Sequence, residues 1–181
     1  GAVIYWMSRD QRAHDNWALL HAAQLAAASG APLHVAFCLQ RSFLGAPLRH
    51  FSFMLDGLEQ VEAELADHGI AFHLLRGAPG DALPELVAAR GAAAVVCDFS
   101  PLRVAREGRD AVAAALPDGV GLVEVDAHNV VPAWRASDKQ EVGARTLRPK
   151  IERLLPEFLT EFPKLPTMPA GAAAGGGGGA A

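Results

Sequence analysis

Five short runs of almost unbroken apolar residues recur along this chain, at 2–7, 33–39, 71–75, 93–98 and 121–125. A strand with one wet face alternates apolar and polar residues; near-continuous runs suit a parallel sheet covered on both faces. Between the runs lie segments of helical character. The clearest spans 51–68, where Met54, Leu58, Val61 and Leu65 recur at helical spacing and Asp56, Glu59, Gln60 and Glu62 fall on the other side. The punctuation agrees with this alternation. Gly30, Gly69 and Gly91 each close a helical run shortly before a strand, where glycine accepts the left-handed conformation. Asp81 and Ser100 read as N-caps, with Pro101 at the first helical position. Repeated strand–helix alternation with short connections implies right-handed βαβ units. The expected fold is α/β: a Rossmann-like, doubly wound, five-stranded parallel sheet of order 3-2-1-4-5, with helices on both faces.

Composition narrows the function classes. The chain has 181 residues, 51% hydrophobic and 20% charged, which suits one soluble domain with a real core. Sixteen Lys and Arg against 20 Asp and Glu leave a formal charge of −4, unlike a general polyanion binder. No apolar run approaches the ~18 residues of a membrane span. Two cysteines rule out a disulfide-stapled secreted scaffold. Cys38 and Cys97 fall near the ends of the second and fourth strands, two strand spacings or roughly 10 Å apart, beyond disulfide reach. Buried free thiols and an intracellular protein are therefore expected. Residues 170–181 are six Gly and six Ala, with nothing to bury, and read as a flexible tail.

In open α/β sheets, ligands bind beyond the carboxyl ends of the strands, where strand order reverses. The segments at issue are 6–12, 37–40 and 98–103. The first holds no glycine, so the G-x-G-x-x-G dinucleotide fingerprint is missing, and so is the Walker phosphate loop. The crevice offers Trp6, Met7, Phe37 and Phe99 beside Ser8, Asp98 and Ser100, a mixture that suits a flat organic ligand better than a polyphosphate. Ser100 as a cap, the helix amides after it and Arg103 would make an electropositive corner. Arg103, Arg106 and Arg109 form a basic stripe that reads first as a solvated helix face. Asp98 reads equally as a loop brace or a ligand contact. Arg9, Asp10, Arg12 and Asp15 read as a salt-bridged loop after the first strand. The seven histidines lack metal-ligand spacing, no G-x-S-x-G elbow is present, and His34 and His73 read as packed core residues.

Specific strings go further. Tyr5-Trp6-Met7-Ser8-Arg9-Asp10-Gln11-Arg12, followed by Asp15-Asn16-Trp17-Ala18-Leu19, strongly resembles the opening of class II cyclobutane-pyrimidine-dimer DNA photolyases. Asp98-Phe99-Ser100-Pro101-Leu102-Arg103 and Val125-Asp126-Ala127-His128-Asn129-Val130-Val131-Pro132 fit the same class. So do Ala136-Ser137-Asp138-Lys139-Gln140-Glu141 and Ala144-Arg145-Thr146, and the resemblance runs from about residue 3 to 163. It implies an N-terminal α/β domain holding a light-harvesting antenna, often an 8-hydroxy-5-deazaflavin. That antenna would pass excitation to FADH⁻ in a separate C-terminal helical domain, where an electron splits a thymine dimer flipped out of DNA. The family's antenna crevice maps onto Met7, Ser8, Arg9, Phe37, Cys38, Asp98, Phe99 and Ser100.

Residues 1–133 are thus expected to form the antenna domain. Residues 134–169 would form a linker helix toward a flavin and DNA domain whose sequence does not follow Pro163 in this chain. The tryptophan relay of that domain is missing with it. Trp6, Trp17 and Trp134 are expected to pack the α/β domain instead. The family activity is that of a deoxyribodipyrimidine photo-lyase; this chain alone is not expected to repair DNA, and no catalytic residue or metal site is assigned to it. UV-damaged DNA would be met only through the further domain. A monomer without membrane contact is expected, in the nucleus or chloroplast, or in the cytoplasm of a prokaryote. The alternative is a stand-alone module of photolyase descent that binds a flavin-like or nucleotide ligand without enzymatic activity.

Overall fold

A computed structural model describes residues 1–168. Its strands are β1 (Ala2–Trp6), β2 (Leu33–Leu39), β3 (Ala71–Arg76), β4 (Ala92–Asp98) and β5 (Gly121–Val125). Its helices are α1 (Trp17–Ser29), α2 (Leu48–Asp67), α3 (Pro79–Arg90), α4 (Arg103–Ala115), α5 (Ala133–Ala136) and α6 (Ala144–Phe158). The five strands form one parallel sheet of order β3-β2-β1-β4-β5, the doubly wound topology expected. The expected tail, 170–181, lies outside the described residues.

Alternation along the strands sorts the core into two layers. Val3, Tyr5, Met7, Leu33, Val35, Phe37 and Val96 face α1 and α2, meeting Leu19, Ala22, Ala23, Leu58, Val61 and Leu65. Ile4, Trp6, Ala36, Cys38, Val95 and Cys97 face the other way, onto Leu83, Leu86, Val87 and Val112 of α3 and α4. Because both faces are covered, β1 is buried along its whole length. Both cysteines are free and buried, and burial pushes each thiol up to about 12.

Gly30 and Gly91 end α1 and α3 in the left-handed conformation, and Gly69 follows α2 with φ +72°. Two caps fall elsewhere than expected. Pro79 opens α3 with Ala78 as its N-cap, so Asp81 sits inside the first turn, where a carboxylate still complements the helix dipole. Ser100 does not cap α4. Its Oγ accepts from the amide of Leu102 (3.4 Å), Leu102 stays extended, and the helix starts at Arg103.

The segment expected as one linker helix contains two helices and an extended strap. A cluster ties its first half: Ser137 Oγ donates to Glu141 Oε1 (2.8 Å), and Lys150 Nζ reaches both Ser137 Oγ and Glu141. After α6 the chain returns over the α1–α2 layer. Phe162 packs on Trp17 (ring centroids 4.7 Å), Leu165 and Met168 are buried, and the Met168 amide donates to the His68 carbonyl (2.8 Å).

Candidate functional site

The sheet order reverses between β1 and β4, and their carboxyl ends are joined by one side chain. Asp98, the last residue of β4, accepts from the Tyr5 hydroxyl on Oδ1 (2.8 Å). Its Oδ2 accepts from the Ser8 amide (3.0 Å), the Ser8 hydroxyl (3.2 Å) and the Arg9 amide (2.8 Å). Behind it, Asn16 caps α1 by accepting from the Leu19 amide, and its Nδ2 donates to the Tyr5 oxygen (3.1 Å). Burial, then the charge of Asp98, raises the Tyr5 hydroxyl above its ordinary pKa, so it remains a proton donor. Asp98 is therefore a brace, fixing the turn after β1 against the end of β4.

That bracing holds open a cavity of about 450 Å³ at the carboxyl edge of the sheet. Trp6, Met7, Phe37 and Met54 give it apolar and aromatic walls, and Ser8, Gln11, Gln40 and His50 place polar groups around them. Volume and lining fall within the range of small-ligand sites. Of the eight residues expected here, Met7, Ser8, Arg9, Phe37, Cys38, Asp98 and Ser100 line the cavity. Phe99 does not: its ring turns away and meets Trp134 edge-on, with centroids 4.6 Å apart. Arg9 Nη1 donates to the Phe99 carbonyl (3.0 Å), which pins the arginine across the β1–β4 junction.

Sequence reasoning missed one whole wall. Phe43, Ala46, His50, Phe51 and Met54 come from the β2–α2 connection and the first half of α2. The helix begins at Leu48 rather than at residue 51, so its first turn overhangs the carboxyl end of β2. The carboxyl-end rule contained the signal, because Phe43 and Phe51 follow β2 directly. The opposite wall is α4, through Val104, Ala105 and Gly108.

The basic stripe on α4 divides. Arg103 and Arg106 are exposed, whereas Arg109 lines the cavity. Its Nη1 pairs with Glu124 (2.8 Å), and its Nη2 and Nε pair with Asp110 (2.7 and 3.1 Å). Those two carboxylates, Asp110 first, raise its pKa further and neutralise it. The charged cluster after β1 is the salt-bridged loop expected. Arg12 pairs with Asp10 (3.2 Å) and donates to the Asp15 carbonyl, and His128 Nδ1 lies 3.4 Å from Asp10.

Away from the cavity, His34 Nδ1 and His73 Nε2 are 3.1 Å apart, a packed pair joining β2 to β3. Trp6 is buried and Trp17 packs on Phe162, whereas Trp134, packed against Phe99, remains 54% exposed. Among the described residues no cluster of three or more His, Cys, Asp or Glu is placed to hold a metal ion. Nor is any helix there long and apolar enough to cross a membrane.

The chain is similar to several known proteins. The chain is 56% identical over 162 residues to a deoxyribodipyrimidine photo-lyase of Potorous tridactylus, covering 90% of this chain and 30% of that protein. It is 49% identical over 165 residues to the deoxyribodipyrimidine photo-lyase of Arabidopsis thaliana, covering 91% and 33%. It thus spans about a third of the length of these relatives. The cryptochrome of Synechocystis sp. PCC6803 shares the fold with a TM-score of 0.75 at 14% identity, covering 92% of this chain and 36% of that one. The DNA photolyase family model matches residues 3–169, and the chain belongs to that family.

Proposed function

We propose that this chain is the light-harvesting part of a class II cyclobutane-pyrimidine-dimer photolyase, and that its cavity holds a flat antenna of the 8-hydroxy-5-deazaflavin type. The observation that carries the reading is the cavity itself: about 450 Å³, mostly apolar and aromatic, at the strand-order switch point. The Trp6-Met7-Ser8-Arg9-Asp10-Gln11-Arg12 string supports class II.

When bound, such a chromophore supplies blue-light absorption and excitation transfer to a flavin. The residues of this chain bind, orient and exclude water. Trp6, Met7, Phe37 and Met54 would cover the ring faces, while Ser8, Gln40 and His50 offer hydrogen bonds to ring heteroatoms. Asp98 holds the β1 turn in place behind them. Repair, FAD binding and contact with UV-damaged DNA belong, in this reading, to a helical domain outside residues 1–168. The protein would act as a monomer in a DNA-containing compartment: nucleus, chloroplast or prokaryotic cytoplasm.

The test is a visible spectrum of the purified chain after incubation with 8-hydroxy-5-deazaflavin or FAD and gel filtration. Deazaflavin should be retained and FAD should not. Phe37→Ala or Met54→Ala should weaken deazaflavin binding by about tenfold, the loss expected for one buried ring-contacting side chain. A colourless protein overturns the antenna reading, and retention of FAD alone assigns the cavity to another flavin role. Dimer reversal by the isolated chain under blue light would overturn the division of labour.

A further inference from the structure

The connection between β2 and α2 ends in a tight turn. The Ala46 amide donates to the Phe43 carbonyl (2.8 Å), and the two central residues, Leu44 and Gly45, have φ of +47° and +71°. A turn with two left-handed central residues is the mirror-image type that favours Asn-Gly or Gly-Gly. Gly45 suits it. Leu44 does not, because in that conformation its Cβ crowds the neighbouring carbonyl oxygen. Leu44 is also 78% exposed. One residue thus combines an unfavourable backbone with an apolar side chain in water, and asparagine would relieve both. Phe43 and Ala46, on either side of it, line the cavity, and Phe43 is still 44% exposed.

We propose that the Phe43–Leu44 tip is a ligand clamp. When a flat ring occupies the cavity, the tip lays these two side chains over its outer edge and slows its escape. This rests on the ring-binding reading of the cavity. The tip is the mobile choice because the floor is hydrogen-bonded sheet and the facing wall is the helix α4, whereas residues 40–47 carry no ladder or helix to break. The strain at Leu44 follows from the same role. A left-handed leucine at the mouth is disfavoured in the free chain and gains its contact only on the ligand.

Stopped-flow fluorescence with 8-hydroxy-5-deazaflavin tests this on the native chain, Leu44→Asn and Leu48→Asn. Leu48 is 80% exposed and, like Leu44, does not line the cavity of the free chain, but it lies on α2 outside the turn, so it controls for surface apolarity. Leu44→Asn should melt at the same or a higher temperature while releasing the ring about fivefold faster, as expected when roughly 40 Å² of apolar surface is uncovered. Its association rate should change by less than about twofold. Leu48→Asn should leave release unchanged. An unaltered release rate in Leu44→Asn, or equal acceleration in both variants, overturns the clamp while leaving the ring site standing. A native chain that takes up no deazaflavin overturns both.

Discussion

The carboxylate of Asp98 gathers four hydrogen bonds where the two halves of the sheet diverge: from Tyr5, from the amide and hydroxyl of Ser8, and from the Arg9 amide. Sequence alone left this residue balanced between brace and ligand contact. Motif reading placed it at the right strand end, but no string says how many amides will converge on one carboxylate. Asp98→Asn puts an NH₂ group where donors already point. It should cost about 3 kcal/mol, lowering the melting temperature by roughly 6–12 °C in a calorimetric scan. A side chain whose role was only to touch ligand would leave that temperature in place and weaken binding alone. Phe99 shows the complementary limit. Its position beside Asp98 and Ser100 placed it in the crevice, but Phe99 follows the end of β4, its amide is held by the Val125 carbonyl, and its ring meets Trp134 instead.

At the level of elements, the strands were legible because a doubly covered parallel sheet demands unbroken apolar runs: the runs at 33–39 and 121–125 match their strands at both ends, and the other three differ by one residue at one end. Helix starts were less legible. Ser100-Pro101 has the sequence of a cap, but Ser100 turns its hydroxyl to the Leu102 amide and the backbone stays extended for two more residues. The β2–α2 wall was missed for a related reason: α2 follows Pro47 with no side-chain cap, so no capping residue marks its start. The β2–β3 pairing carries a feature with a pH signature. Burial, then the neighbouring His73 and Arg90, lowers His34 to about 4, and burial and Arg90 lower His73. Both groups bind protons more readily when unfolded. Stability is therefore complete above the ordinary histidine pKa of about 6.5 and is lost as pH falls toward 4. Between about pH 7 and 4.5 the native chain should lose roughly 5 °C more in melting temperature than a His34→Leu/His73→Leu variant.

Across the described residues, the strap after α6 brings Leu165 and Met168 into the same core cluster as Val3 and Tyr5 of β1. Phe162, Leu165 and Met168 are spaced by three, the repeat of an extended left-handed chain, with Pro163 and Pro166 between them. That pattern lacks helical or strand periodicity, which is why the segment read only as a linker. The strap ends where Gly69 leaves it room: a Cβ on Gly69 would lie 3.0 Å from the Met168 carbonyl oxygen. Leu165→Ala/Met168→Ala should cost about 4 kcal/mol and lower the melting temperature by roughly 8–16 °C in thermal denaturation. Deazaflavin affinity at 25 °C should be unaffected, because neither Leu165 nor Met168 lines the cavity, and Met168 docks beside the amino end of β3. The strap also bears on how a nascent chain matures. The carbonyl of His68 must wait for an amide about a hundred residues downstream, roughly ten seconds at a synthesis rate of about 10 residues per second. Until then the layer beneath α1 and α2 is incomplete while the polypeptide is still on the ribosome, which makes that face the natural point of chaperone attention.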